Sequence, residues 1–74
     1  MVRVMSDEEY MQLALQEARA AAEIGEIPIG AVLVVAGVVV AQAHNMRETW
    51  NDATAHAEVI VIREACKKLG RWRL

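Results

Sequence analysis

The sequence has little of several residue types that small domains commonly use. It contains no phenylalanine, one proline and one cysteine, and aromatic residues make up only 4% of its 74 residues. A single cysteine excludes an internal disulfide framework and favours a reducing compartment. The longest uncharged stretch, Ile27 to Ala43, is interrupted by Pro28, Gly30 and Gly37, and no secretory signal is visible. We therefore expect a cytoplasmic protein with no membrane partner.

Neither acidic nor basic side chains are in large excess. Ten acidic and eight basic side chains leave a formal net charge of −2, which argues against a dedicated polyanion-binding protein. Hydrophobic residues make up 55% of the chain, so intrinsic disorder is not expected. A core this small, rich in alanine and valine, barely offsets the entropy of ordering the chain. The composition predicts one small domain with apolar surface that a partner subunit, or the rest of a larger domain, covers.

Local signals predict a helix followed by two strands. Ser6-Asp7-Glu8-Glu9 has the form of a capping box and predicts a helix from Asp7 to Ile24. The valine-rich segments Ile29–Val35 and Val38–Ala43 predict β-strands. Because only Ala36-Gly37 separates them, we expect a tight antiparallel hairpin with the alanine strained at positive φ. Both strands are apolar on both faces, which indicates a sheet that needs a second helix to cover it.

That second helix is predicted from Ala55 to Leu69, with Thr54 as its N-cap and Gly70 as its end. Apolar residues recur along it at helical spacing, and this pattern predicts the buried stripe Val59, Ile62, Cys66 and Leu69. The predicted element order is therefore α-β-β-α.

The residues best suited to chemistry are His56 and Glu58, at the start of the second helix. Two residues apart on a helix, side chains differ by about 200° around the axis, but in the first turn both can converge just beyond the helix end. One imidazole can bind a metal there, and a carboxylate can handle the protons of a water without ligating the metal. A His-x-Glu pair also occurs by chance, and a polar surface histidine is the alternative interpretation.

Four motifs in this order resemble one family. They are Gly25 to Val32, Ala43-His44-Asn45, Thr54 to Glu58 and Glu64 to Gly70. Over about residues 6–74 they are similar to the zinc-dependent cytidine/deoxycytidylate deaminase superfamily and, within it, to bacterial tRNA-specific adenosine deaminases of the TadA type. The resemblance implies an α/β fold: the N-terminal α-β-β-α portion of a three-layer α/β/α cytidine-deaminase-like fold, without its later strands and helices. Residues 1–74 would then be a single incomplete deaminase domain.

The resemblance also implies an activity, namely hydrolytic conversion of the wobble adenosine of a tRNA to inosine, with loss of ammonia from C6. His56 would be a zinc ligand. Glu58 would be the catalytic proton shuttle between the attacking water, the purine ring and the leaving ammonia. The substrate-binding residues would be Asn45, Ile27, Pro28, Ile29, Ala31 and Ala57. The implied partners are a tRNA anticodon stem-loop and, when the protein is complete, a second copy in a homodimer.

The sequence departs from the family pattern at one place. The family binds one Zn2+ per protomer with two further cysteine ligands from a P-C-x-x-C segment, which this sequence does not contain. Its only cysteine, Cys66, lies about 15 Å from His56 along a helix axis and is expected to be a core thiol. His44 is expected to be a structural or surface histidine. We therefore expect an N-terminal fragment that is inactive alone.

Two alternatives stay open. The chain could belong to a guanine- or cytosine-type nucleobase deaminase of the same superfamily, or it could be a non-catalytic remnant that associates with a full-length protomer. Contacts with RNA are also left open. Trp50 could stack on bases or simply be exposed. Phosphate contacts or a solvated surface would both suit the basic residues Arg63, Lys67, Lys68, Arg71 and Arg73.

Overall fold

The computed structural model describes residues 5–74 and contains α1 (Asp7–Glu23), β1 (Gly30–Val35), β2 (Val38–His44) and α2 (Ala57–Leu69). The predicted helix-strand-strand-helix order is confirmed, and each boundary agrees with its prediction to within two residues. Over this part of the chain, neither helix combines the length and apolar character needed to cross a membrane.

The capping box at the start of α1 forms as predicted. The Ser6 hydroxyl accepts a hydrogen bond from the Glu9 N–H at 3.2 Å, and the Glu9 carboxylate accepts one from the Ser6 N–H at 3.0 Å. These bonds satisfy donors that have no partner within the helix. The helix ends at its C-cap, Ile24, because Gly25 takes the left-handed conformation with φ +80°.

The hairpin turn has the strain that its sequence predicts. Ala36 and Gly37 both have positive φ, at 51° and 78°, which is the conformation of a type I′ turn. Glycine adopts this conformation freely, whereas the alanine Cβ is crowded by it. The Tyr10 hydroxyl of α1 donates a hydrogen bond to the Gly37 carbonyl at 3.0 Å, so the turn is held against the first helix.

The strand ladder contains one irregularity. Leu33 pairs with Ala41 and Val34 pairs with Val39, so Val40 is an extra residue on β2, as in a β-bulge. The ammonium group of Lys68, in the last turn of α2, donates a hydrogen bond to the Val40 carbonyl at 2.8 Å. The bulge and the end of α2 are therefore tied together.

The two helices cover opposite faces of the sheet. On the α1 side, Glu17 bonds both Gln42 and His44, and a Cβ added to Gly30 would overlap the Ala14 carbonyl oxygen and lie 2.6 Å from the Ala18 nitrogen. This close approach explains the alanine-rich side of α1. On the α2 side lies the apolar core, formed by Ala41, Ala43, Ala55, Ile60, Val61 and Ala65. The result is a three-layer α/β/α arrangement around a two-stranded sheet.

Two predictions about α2 are wrong. The helix begins at Ala57 with His56 as its N-cap, whereas Thr54 donates its N–H and its hydroxyl to the Asp52 carboxylate. Because the Thr54 hydroxyl and N–H are hydrogen-bonded to the Asp52 carboxylate in a local turn, Thr54 does not cap the helix.

The buried stripe of α2 also lies on a neighbouring face of the helix, not on the predicted one. Ile60, Val61 and Ala65 face the sheet, while Ile62 is 48% exposed and Cys66 is only partly buried. Both stripes are apolar, so periodicity alone allows either. The observed stripe contains the small residues Ala57 and Ala65, which are fully buried.

Candidate functional site

The beginning of α2 groups the two residues that the sequence singles out for chemistry. His56 is the N-cap and has extended backbone angles, and Glu58 lies in the first helical turn. The Nδ1 atom of His56 is 3.6 Å from the Oε1 atom of Glu58. Because His56 is still outside the helical backbone, the separation of about 200° that two helical residues would have does not apply. The side chains are 40% and 61% exposed, so a ligand can reach both.

Asn45, which follows β2, holds this helix start in place. It is only 1% exposed, and its Oδ1 atom accepts a hydrogen bond from the Ala57 N–H at 2.8 Å. The His56 side chain makes no capping bond, so the amide of Asn45 satisfies a helix donor from a distant part of the chain. Asn45 also donates its own N–H to the Ile29 carbonyl at 3.1 Å. The positions of His56 and Glu58 are thereby tied to the ends of both strands.

A cavity of about 480 Å³ opens beside Asn45. Three short segments line it together with Asn45, namely residues 25–27, 47–48 and 51–53. Its volume lies within the range of pockets that bind small ligands. Asn45 therefore contacts the start of α2 and borders the cavity as well.

The predicted substrate-binding residues are only partly brought together. Ile27 and Asn45 line the cavity, whereas Pro28 and Ile29 are exposed beyond its lining. Ala31 packs against the core beneath α2, and Ala57 is fully buried with its N–H on Asn45.

Sequence reasoning missed Glu26, a cavity residue whose carboxylate is almost fully buried at 6% exposure. It accepts hydrogen bonds from the Thr49 hydroxyl and the Thr49 N–H, both at 2.6 Å, and from the Glu48 N–H at 3.3 Å. The bond from the Thr49 hydroxyl is the main reason why the pKa of Glu26 lies below its ordinary value, and it outweighs the opposing effect of burial. Glu26 lies within the motif Gly25 to Val32, but its bonding partners are more than 20 residues away, so the motif alone does not predict this role.

A second carboxylate at the cavity, that of Asp52, is held ionised in a similar way. The Thr54 hydroxyl and N–H donate to its Oδ1 atom at 2.7 Å and 2.8 Å. These bonds, with a smaller contribution from the positive charge of Arg63, lower the pKa of Asp52. Glu26 and Asp52 therefore both favour a charged state at the cavity wall.

The second histidine and the single cysteine of the sequence do not lie with His56. The Nδ1 atom of His44 lies 2.7 Å from the Glu17 carboxylate of α1, on the opposite side of the sheet from α2. Cys66 is partly buried, with its Sγ atom 3.9 Å from the Trp72 carbonyl oxygen. His44 thus has the structural role expected of it, whereas Cys66 is not the fully buried thiol that was predicted.

Across residues 5–74, no three histidine, cysteine, aspartate or glutamate side chains are grouped so that they could hold a metal ion. A catalytic zinc site needs three protein ligands, and the described part of the chain offers His56 alone. These residues by themselves therefore do not fit a complete zinc site.

The chain is similar in sequence to a known protein family. Residues 4–74 match the family described as the cytidine and deoxycytidylate deaminase zinc-binding region. The chain is 60% identical over 68 residues to the tRNA-specific adenosine deaminase of Bacillus subtilis, and 57% identical over 65 residues to that of Agrobacterium fabrum. These alignments cover 92% and 88% of this chain but only 42% and 43% of the relatives, so the chain spans less than half of their length.

Two solved structures share the fold. One comes from a study of A-to-I editing by tRNA:A34 deaminases at the wobble position of transfer RNA; its TM-score is 0.88 at 55% identity, over 90% of this chain and 49% of that one. The other is guanine deaminase from Bacillus subtilis, with a TM-score of 0.86 at 44% identity, over 95% of this chain and 45% of that one. These similarities confirm the deaminase-like α/β fold. The chain accordingly belongs to the cytidine and deoxycytidylate deaminase family, in its zinc-binding region.

Proposed function

We propose that residues 1–74 form part of one deaminase domain that converts the wobble adenosine of a tRNA anticodon to inosine. The observation that carries this proposal is the placement of His56 and Glu58 at the start of α2, 3.6 Å apart and accessible, next to the Asn45 amide. The high identity to tRNA-specific adenosine deaminases supports adenosine in RNA as the substrate class.

In this proposal, water adds to C6 of adenine and the C6–N bond breaks, so that ammonia leaves and a carbonyl remains. Glu58 takes a proton from the attacking water and delivers protons to the purine ring and to the departing ammonia. Glu58 is exposed to solvent and lies in the first turn of α2, 3.6 Å from His56.

The base would lie against Asn45 and Ile27, which line the cavity. The substrate-binding roles of Pro28, Ile29, Ala31 and Ala57 stay predictions, because these four residues lie outside the cavity lining. His56 would be one ligand of a single zinc ion, and the remaining ligands would come from residues outside this sequence. When bound, zinc supplies the activation of water that this reaction class needs at neutral pH. Asn45 would hold the start of α2 while it contacts the substrate.

We further propose that the complete protein acts as a cytoplasmic homodimer on a tRNA anticodon stem-loop. A specific observation also favours a second candidate, a nucleobase deaminase, because guanine deaminase shares the fold almost equally well. The two candidates differ in the size of their substrate, since an RNA stem-loop requires surface beyond the cavity whereas a free base does not.

The experiment assays the complete gene product on three substrates: an anticodon stem-loop RNA with adenosine at the wobble position, free guanine and free cytosine. Turnover of the RNA to inosine, with little release of ammonia from the free bases, is the expected result. Preferential turnover of guanine or cytosine would replace the first candidate with the second.

A matched pair of variants tests the role of Glu58. Loss of a general acid–base group commonly lowers kcat by about 10²–10⁴-fold, and we expect Glu58→Gln to do so at unchanged zinc content. Glu64→Gln on the same helix, where the carboxylate faces Lys67 at 3.7 Å, should retain activity. Equal activity in both variants would remove Glu58 from the mechanism.

A further inference from the structure

Glu26 lies where two parts of the molecule meet. Its backbone N–H donates to the carbonyl of Ala21, in the last part of α1, at 2.9 Å. Ala21 is fully buried, so this bond attaches the backbone of Glu26 to a well-packed part of α1. The Glu26 side chain bonds the segment that follows β2.

That segment, residues 46–52, forms a compact turn. The Trp50 N–H donates to the Met46 carbonyl at 2.8 Å, and the Asp52 N–H donates to the Arg47 carbonyl at 2.9 Å. The N–H groups of Glu48 and Thr49, at the beginning of the turn, point instead to the Glu26 carboxylate. Glu26 therefore satisfies them as a capping side chain satisfies the first donors of a helix, although it is far away in the sequence.

The same turn forms one side of the cavity. Arg47, Glu48, Asn51 and Asp52 are lining residues, and Glu26 lies among the lining residues that come from the end of α1. The width of the cavity between these two walls therefore depends on the three hydrogen bonds of one carboxylate. The lowered pKa of Glu26 keeps that carboxylate ionised, which is the state that accepts all three bonds.

We propose that Glu26 is a positioning residue for substrate binding: its carboxylate holds segment 46–52 against the end of α1 and so sets the shape of the cavity that takes the nucleobase. This inference rests on the proposed deaminase function. Glu26 acts through Thr49 and Glu48, and the inference assigns it no contact with the reacting atoms.

The test replaces the carboxylate by its isosteric amide in the complete gene product. In Glu26→Gln, one of the two carboxylate oxygens becomes an NH2 group, which cannot accept a hydrogen bond from the N–H groups of Glu48 or Thr49. At least one of the three bonds is therefore lost. Loss of bonds of this kind is expected to raise KM for the deaminated substrate by about fivefold or more, with kcat changed less than about twofold. Glu23→Gln, which removes an exposed carboxylate three residues earlier, should leave both constants unchanged. A KM for Glu26→Gln within about twofold of the wild type overturns the proposal.

Thr49→Val provides a second variant, since it removes the hydroxyl bond while leaving the backbone bond. It should also raise KM, and the effect of the double variant should be smaller than the sum of the two single effects, because both changes weaken the contact between the same two side chains. Effects that add in full would contradict the proposed coupling.

A readout that needs no substrate separates this proposal from the proposed function. Amide hydrogen exchange at residues 48 and 49 should be about tenfold faster or more in Glu26→Gln, with exchange in α2 unchanged. Unchanged exchange at these two amides overturns the proposal even if the enzyme is active. If the wild type deaminates guanine and not RNA, the proposed function fails, while KM for guanine still tests Glu26.

Discussion

Two nearly buried polar residues, Glu26 and Asn45, hold distant parts of the chain together around one cavity. Glu26 bonds the turn after β2, and Asn45 bonds the first amide of α2. Buried polar groups are costly unless they are satisfied, so both residues contribute stability only as long as their partners stay in place. Position and stability are therefore linked at these two residues.

The ionisation of Glu26 predicts a particular dependence of stability on pH. Because its folded-state pKa lies below the ordinary value of 4.5, its contribution to the free energy of unfolding is complete above that value. The contribution is lost as the pH falls below 4.5 and through the lower folded-state pKa. We expect the stability difference between the wild type and Glu26→Gln to be largest at neutral pH and to shrink as the pH falls, as measured by urea denaturation.

Glu23→Gln is the matched control for this titration. Glu23 is exposed at the end of α1, so its replacement should change the free energy of unfolding only slightly. A difference between the wild type and Glu26→Gln that stays constant from neutral pH down to acid would contradict the assignment.

Local chemistry also explains which residues sequence reasoning could find. The bonds between Ser6 and Glu9 span one helical turn, so their pattern is readable from the sequence. The first donor of α2 is satisfied instead by Asn45, which only the folded chain brings beside the helix, while the local candidate Thr54 bonds Asp52. The roles predicted for His56, Glu58 and the six substrate-binding residues stay predictions.

At the scale of elements, the hairpin turn contains a residue whose replacement should stabilise the fold. Ala36 has φ +51°, a conformation that asparagine tolerates better than alanine. Replacing Ala36 by asparagine should raise the free energy of unfolding by about 0.5–1 kcal/mol, because part of the cost of the left-handed conformation is removed. Thermal or urea unfolding measures the gain.

Ala36→Val is the opposing control, since a β-branched side chain is strained further at positive φ. It should be less stable than the wild type. If the asparagine and valine variants were equally stable, the positive φ of this residue would not be the cause of the strain.

The helices show how far element prediction extends. Hydrophobic periodicity located both helices, together with the capping box of α1 and Gly70 at the end of α2, since these signals act within a few residues. Periodicity did not identify the buried face of α2, because the stripe containing Ile62 is as apolar as the stripe containing Val61. That choice depends on how closely the helix can approach the sheet, which is a property of two elements and not of one.

At the scale of the whole molecule, much apolar surface is open. Met11, Val38 and Ile62 are among the large side chains that are about half exposed or more, and the sheet has only two strands, so each has an edge without a neighbouring strand within residues 5–74. Exposed strand edges and apolar patches favour association. The composition predicts such apolar surface, and what covers it stays a prediction.

We therefore expect the 74-residue chain, produced alone, to show no measurable deaminase activity and to form associated species. The first expectation follows because the described residues offer one zinc-ligating imidazole, and the second because apolar surface is exposed. Ammonia release measures the activity, and sedimentation velocity measures the association.

A zinc-loaded, active preparation of this chain would contradict the expected inactivity. A stable monomer would contradict the expected association and would count against the alternative of a non-catalytic remnant.

The bulge on β2 also bears on changes in chain length. If Val40 were deleted, Leu33 would still face Ala41 and Val34 would still face Val39, now as consecutive rungs of an uninterrupted ladder. Shortening the hairpin by this residue therefore leaves every other cross-strand pair intact. What is lost is the packing of the Val40 side chain against the core, together with the carbonyl that accepts a hydrogen bond from the Lys68 ammonium at the end of α2.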